Sequence, residues 1–275
     1  MEGSIRRAAD AIRNAGAMVI TAGAGMGVDS GLPDFRGDRG FWNAYPMYER
    51  LGLSFVDAAN PRHFERDPAF GWGFYGHRMN LYRETVPHAG FSILLDWIER
   101  FGMACFVVTS NVDGQFQKAG FSDDALLEVH GSIHHLQCLE PCTQAIWDNH
   151  ETIPVDFATM RAGHIPKCLH CGGVARPNIL MFGDMSWLSD RTRMQERNFD
   201  EFVTDNRELS LVVVEMGAGT AIPTIRAASE RLGRYYGATV VRINPREAQI
   251  GAPHISIPLS ALAGLEKIEI AVATS

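Results

Sequence analysis

Four of the five cysteines fall into two close pairs, Cys138-x3-Cys142 and Cys168-x2-Cys171. Thiol pairs at such spacings are the pattern of a closed structural site with four sulfur ligands, and zinc is the ion those sites take. Cys142 has the loosest spacing, and His164 or His170 stands near enough in sequence to replace it. Cys105 lies inside an apolar run and reads as an inert core thiol. An odd cysteine count with four clustered points to an intracellular metal site rather than a disulfide framework. His130, followed by Gly131, comes directly after the apolar run 126–129. Imidazole titrates near neutral pH, so a His at a strand end is poised as a general base, although a lone His is more often a structural residue. Asn111 and Asp113 sit in Thr109-Ser110-Asn111-Val112-Asp113-Gly114, just beyond the run 105–108. Beyond the carboxyl end of a parallel strand such a turn makes ribose and amide contacts; as an Asx turn or helix cap it is purely structural.

The elements that must position these groups are legible as apolar runs. Residues 18–21 read as a buried strand that runs directly into Gly23, Ala24, Gly25 and Gly27. Glycines there allow a tight turn and close approach of backbone N–H groups to a phosphate, with a helix N-terminus expected to follow. The segment 30–37 then sets Asp34, Phe35 and Arg36 side by side among Gly and Pro, the make-up of a substrate-facing lid. Residues 4–15 and 90–101 have helical apolar spacing, and 190–208 read as a solvated surface helix. Residues 105–108, 126–129, 179–182, 211–216 and 239–243 read as further strands, and the stretch between Cys142 and Cys168 as an irregular loop or short helix. The aromatics of 41–87 read mostly as core, and Trp187 either as core or as groove lining. His134 and His135 read as ordinary polar positions.

Composition bounds the class. With 275 residues, 46% hydrophobic and 21% charged, the chain makes one large α/β domain or one with an inserted smaller unit. A net charge of −7 argues against nonspecific nucleic-acid binding. No apolar stretch approaches the ~18 residues of a membrane span, and residues 1–16 lack a signal peptide's apolar core, so a cytoplasmic protein is expected. Nothing in the sequence sets the oligomeric state.

Six segments in order resemble the sirtuin family. Gly23-Ala24-Gly25 and Ser30-Gly31-Leu32-Pro33-Asp34-Phe35-Arg36-Gly37 are similar to its Gly-Ala-Gly-Ile-Ser and Ser-Gly-Ile-Pro-Asp-Phe-Arg-Gly, with Gly27 in place of Ser. Thr109 to Asp113 resembles Thr-Gln-Asn-Ile-Asp with Ser110 in place of Gln; His130-Gly131, the four cysteines, and Arg176-Pro177-Asn178 through Phe182-Gly183-Asp184 follow in family order. Gly217 to Ala221 and Asn244 resemble the loops beside the cofactor's adenosine half. The resemblance implies a Rossmann-like parallel sheet with helices on both faces, an inserted zinc-ribbon module at 138–175 and a helical segment at 41–87. It implies an NAD-dependent protein-lysine deacylase acting on acylated protein or peptide substrates. The amide oxygen of the acyl-lysine would attack the nicotinamide ribose, nicotinamide would leave, and the products would be free lysine and O-acyl-ADP-ribose. By the same resemblance His130 is the base, and Asn111 and Asp113 hold the carboxamide and a water. Gly23, Ala24, Gly25, Asp34, Phe35, Arg36, Ser110, Gly217, Gly219, Thr220 and Asn244 contact NAD, while Phe35 shields the reactive face. Zn2+ is held by Cys138, Cys142, Cys168 and Cys171, and Leu180, Phe182 and Gly183 pair with the peptide by strand addition. Two other readings stay open: a mono-ADP-ribosyltransferase or NAD hydrolase, which the changes at Ser110 and Gly27 keep in view, and a non-catalytic NAD sensor.

Phe74-Tyr75-Gly76-His77-Arg78 matches the Tyr-x-x-Arg pattern of the desuccinylase-like branch. Three apart on a helix, Tyr75 and Arg78 share a face. A guanidinium grips a carboxylate through two parallel hydrogen bonds, so the resemblance implies that succinyl or malonyl groups are accepted; on the pattern alone Tyr75 reads as core and Arg78 as a solvated surface residue or the partner of a protein carboxylate.

Overall fold

Short β-branched runs flanked by amphipathic helices dictate a layered α/β architecture. The computed structural model describes residues 1–33 and 37–274, so Asp34, Phe35 and Arg36 lie outside the described residues. In chain order come α1 (Glu2–Arg13), β1 (Ala17–Ala22), α2 (Gly25–Val28), α3 (Gly37–Ala44), α4 (Pro46–Arg50), α5 (Phe55–Ala58), α6 (Arg62–Arg66), α7 (Pro68–Glu84), α8 (Ala89–Phe101), β2 (Ala104–Thr109) and α9 (Gln115–Ala119). Then follow β3 (Leu126–Glu128), β4 (Gly131–Cys138), β5 (Ile146–Asp148), β6 (Val155–Asp156), β7 (Arg161–Ala162), β8 (Ala175–Ile179), α10 (Asp190–Asp205), β9 (Leu211–Met216), α11 (Thr224–Tyr236), β10 (Thr239–Ile243), β11 (Ile255–Ile257) and α12 (Ala261–Ala273).

Six strands form one parallel sheet in the order β3-β2-β1-β9-β10-β11. The order reverses between β1 and β9, and ligands of such sheets lie beyond the strand carboxyl ends at that reversal. Both faces are buried, which explains why the strands read as continuous apolar runs rather than alternations. Met18, Ile20, Val107, Val212, Val214 and Ile243 point to the side covered by α1, α8 and α12. Val19, Phe106, Val108, Val213 and Val240 point to the other side, covered by α10 and α11.

A second layer joins the helices α3–α7 to the antiparallel sheet β5-β4-β8 through one shared core. Phe41, Tyr45, Phe64, Trp72, Phe74 and Tyr75 belong to it, as the aromatic content of the segment implied, and so do Ile133, Ile153, Met160 and Ile179. Asp67 caps α7 by accepting from Phe70 N, and Pro68 opens it.

Three local expectations are corrected. The stretch between Cys142 and Cys168 holds β5 and the two-residue pair β6–β7 rather than a helix. The expected strand over 179–182 is displaced toward the N-terminus: β8 ends at Ile179, where its pairing with Gly131 runs out. Beyond it Leu180 N donates to His130 O (2.9 Å) and Phe182 N to Ala59 O (3.0 Å), and Gly183 turns the chain at φ +67°. Finally, α10 is not purely a solvated surface: Thr192, Gln195 and Val203 are buried, and Gln195 Oε1 accepts from Glu128 N at 3.1 Å.

Candidate functional site

At the β1/β9 reversal two glycine loops meet. Gly25 N donates to Gly217 O (3.1 Å) and Gly217 N to Ile243 O (3.1 Å). Gly217 has φ +61°, and a Cβ there would lie 2.4 Å from the Gly25 backbone. A Cβ on Gly23 would lie 2.9 Å from Ala218 Cα. These glycines are therefore required first by the contact between the two loops. The helix expected after the first loop is the single turn α2, too short to act as a dipole.

Asn111 ties the β2 loop to the same place: its Nδ2 donates to Gly23 O (3.1 Å) while its own N–H donates to Thr109 Oγ1 (3.0 Å). On the β9–β10 side, Asn244 is fully buried and its Nδ2 donates to Ala218 O at 2.8 Å. Asn244 thus supports the loop that carries Gly219 and Thr220. Thr220 Oγ1 donates to Glu247 Oε1 (2.6 Å), and Arg226 donates to Ala218 O (3.0 Å), so Glu247 and Arg226 hold this loop in place. Sequence reading missed both, since neither sits in a local pattern.

His130 and Gly131 form the junction between the two sheets. β3 ends two residues before His130, and β4 starts with Gly131. Gly131 has φ +77°, and a Cβ there would come 2.1 Å from Asn178 O on β8, so only glycine allows the junction. The His130 ring is half-buried, and burial holds its pKa below the usual histidine value, against a smaller opposing pull from the Ser110 backbone. Asp113 is buried and accepts from Gln115 N (3.0 Å); desolvation raises its pKa to about 6. His134 is not an ordinary polar position: it is paired through Nε2 with the Asp113 carbonyl at 2.9 Å. His135 pairs with Asp148 at 3.2 Å. Cys105 is inert, since burial pushes its thiol up to about 12.

On α7 the Arg78 side chain is buried, 7% exposed, and its guanidinium lies over the rings of Phe74 (5.1 Å), Tyr82 (5.3 Å), Tyr75 (5.8 Å) and Phe55 (6.0 Å). Tyr75 flanks Arg78 as a ring, as the helix spacing implies, but the hydroxyl bonded to Arg78 belongs to Tyr82. Tyr82 stands one turn beyond Arg78, a relation that helix phase alone could have revealed. Across the junction, the 180–183 turn rests on the buried pair Arg176–Asp184. Asp184 accepts from Arg176 Nη1 (3.0 Å), Met181 N (3.3 Å) and Ser186 N (3.0 Å). Leu180 is 40% exposed, and Trp187 is half-buried.

The four cysteine sulfurs converge within 4.8 Å of one another. Cys138 and Cys171 are 3.7 Å apart and Cys142 and Cys168 3.6 Å, close to the ~3.8 Å edge of a tetrahedron with 2.3 Å zinc–sulfur bonds. His170 N and Gly173 N donate to Cys168 and Cys171 sulfurs (both 3.4 Å), so the donor set suits thiolates. His164 is paired with Glu151 instead, while His170 Nδ1 lies beside the cluster, 3.6 Å from Cys142.

Sheet order and loop placement define a doubly wound α/β protein whose glycine loops meet where the strand order reverses. The chain belongs to the Sir2 family, whose model matches residues 23–217. It is 30% identical to an NAD-dependent protein deacylase of Aquifex aeolicus over 85% of each chain. It is 28% identical to NAD-dependent protein deacylase 1 of Caldanaerobacter subterraneus, covering 91% of this chain and 92% of that protein. Among solved structures it is similar to a Sir2 homolog–NAD complex, with a TM-score of 0.73, 23% identity, and coverage of 96% of this chain and 93% of that one. Among the described residues no helix is long and apolar enough to cross a membrane.

Proposed function

We propose that this chain is an NAD-dependent protein-lysine deacylase that consumes NAD, releases nicotinamide and transfers the acyl group to ADP-ribose. The observation that carries the reading is the junction: a neutral imidazole, His130, beside the Asn111–Asp113 turn at the carboxyl edge of a family-matched sheet. NAD supplies the ribose carbon that the acyl-lysine oxygen attacks. His130 takes the proton from a ribose hydroxyl at its imidazole nitrogen, and Asn111 and Asp113 orient the carboxamide and a water. Gly23, Ala24, Gly25, Ser110, Gly217, Gly219, Thr220 and Asn244 form or brace the cofactor crevice. Asp34, Phe35 and Arg36 are assigned to it on the sequence resemblance. The segment 138–175 serves as a zinc-binding module through Cys138, Cys142, Cys168 and Cys171, with 41–87 as its helical neighbour, inside one catalytic domain. Leu180, Phe182 and Gly183 receive the substrate peptide. Arg78, with Tyr75 beside it, receives a carboxylate, which makes succinyl or malonyl lysine a substrate. A cytoplasmic location fits the composition.

The test is mass spectrometry of the purified protein with NAD and a panel of acyl-lysine peptides. Free lysine together with O-acyl-ADP-ribose is the expected result. ADP-ribosylated peptide, or ADP-ribose without peptide turnover, overturns it.

A further inference from the structure

Resting on the reading of Arg78 as the receiver of acidic acyl groups, we propose that Tyr82 is a specificity-determining residue that competes with the acyl carboxylate for Arg78. The Tyr82 hydroxyl accepts from Arg78 Nε at 2.9 Å and from Arg78 Nη2 at 2.6 Å. Those two N–H groups form one of the parallel edges by which a guanidinium grips a carboxylate. Inside the cage of Phe55, Phe74 and Tyr75, with Arg78 only 7% exposed, a guanidinium edge left without an acceptor is costly because burial removes it from solvent. Tyr82 supplies the acceptor while no acid is bound.

The competition has a definite sign. A carboxylate brings two charged oxygens to the two donors, whereas the phenol offers one neutral oxygen to both, so the acid displaces the hydroxyl. The acid's net gain is reduced by the two hydrogen bonds it breaks. An acetyl group has no acceptor for that edge and leaves the Tyr82–Arg78 contact intact. Tyr82 therefore weakens binding of acidic acyl groups selectively and narrows the preference between acidic and neutral ones. Its position is fixed from outside the cage: the Tyr82 carbonyl accepts from Gln115 Nε2 at 3.1 Å, two residues beyond Asp113. The acyl selector is thus braced against the same turn that faces the junction.

The experiment measures kcat and KM for succinyl- and acetyl-lysine versions of one peptide at saturating NAD, in wild type, Tyr82→Phe and Arg78→Met. In Tyr82→Phe the succinyl KM is expected to fall by about tenfold, the value of one charge-assisted hydrogen bond, while the acetyl KM stays within about twofold. Tyr82→Leu, which also lacks the hydroxyl, repeats the test if the first variant is too unstable to assay. An unchanged or raised succinyl KM in the Tyr82 variants, with Arg78→Met still losing succinyl activity selectively, overturns the role of Tyr82 and leaves the acidic-acyl reading standing. Equal loss of both activities in Arg78→Met, or no succinyl turnover in wild type, removes that reading and the Tyr82 role with it.

Discussion

Burial moves the two titratable groups of the junction in opposite directions. The His130 imidazole is held below its usual pKa by desolvation, so it stays neutral and able to accept a proton at pH values where a free histidine is half charged. The acid limb of kcat/KM is accordingly expected below pH 6.5, the usual histidine value, and His130→Ala is expected to lower kcat by roughly 10²–10⁴-fold. NAD affinity, read by calorimetry, should survive that substitution; near wild-type turnover would rule His130 out as the base. Asp113 behaves in the opposite sense, because desolvation lifts its carboxyl to about 6. The unfolded chain gives up this proton near pH 4 and the native state only near pH 6, so Asp113 costs stability progressively as pH rises through that window and levels off above it. Asp113→Asn removes the cost, on the order of 3 kcal/mol for a shift of this size. The melting temperature of Asp113→Asn should therefore exceed that of wild type by a margin that grows between about pH 4 and pH 6, while deacylation is lost. A pH-independent margin would show that Asp113 is not the buried carboxyl responsible.

At the scale of elements, the 180–183 turn depends on one ion pair rather than on strand pairing. Arg176 and Asp184 have fully buried side chains, and removing one partner strands the other's charge, a loss of roughly 3–5 kcal/mol. Arg176→Met is expected to lower the melting temperature and to raise KM for acyl-peptide while leaving NAD affinity unchanged; a lower melting temperature with unchanged KM would detach this turn from peptide binding. The pair also explains why this segment was only partly legible in the sequence. Ile179 to Phe182 is apolar and reads as a strand, but the register of β8 ends at Gly131 and the next carbonyls belong to His130 and Ala59. Strands buried on both faces, such as β1 and β9, were plain because their whole length is apolar. The glycine loops were found from the sequence, but their mutual packing was not, since the Gly217–Gly25 contact joins residues far apart in the chain. Tyr75 and Arg78 stand out through the resemblance to the Tyr-x-x-Arg pattern, whereas Tyr82, one helix turn beyond Arg78, lies outside that pattern although helix phase places it beside the guanidinium.

For the whole molecule, the shared second core makes the metal site a determinant of more than its own loop. β4 and β8 carry the thiol loops at one end and the His130–Gly131 junction at the other, and their inner faces pack on α7 through Ile133, Ala175 and Ile179. Trp72 Nε1 donates to Ala175 O at 2.8 Å, a direct bond from α7 into β8. Metal binding to four thiolates is coupled to folding of the segment that holds them, so loss of the ion is expected to release the β4–β8 ladder first and the α7 packing after it. One zinc per chain is expected on metal analysis, with Cys168→Ser abolishing retention. Chelation should cut activity and, in hydrogen exchange, expose amides of β4, β8 and α7 while β1, β9 and β10 stay protected, because those strands lie in cores formed with α1, α8, α10, α11 and α12. Uniform loss of protection across both sheets would mean that the two layers unfold as one unit and that the site stabilises the whole chain. Absence of zinc from the purified protein would remove the structural role assigned to the four cysteines.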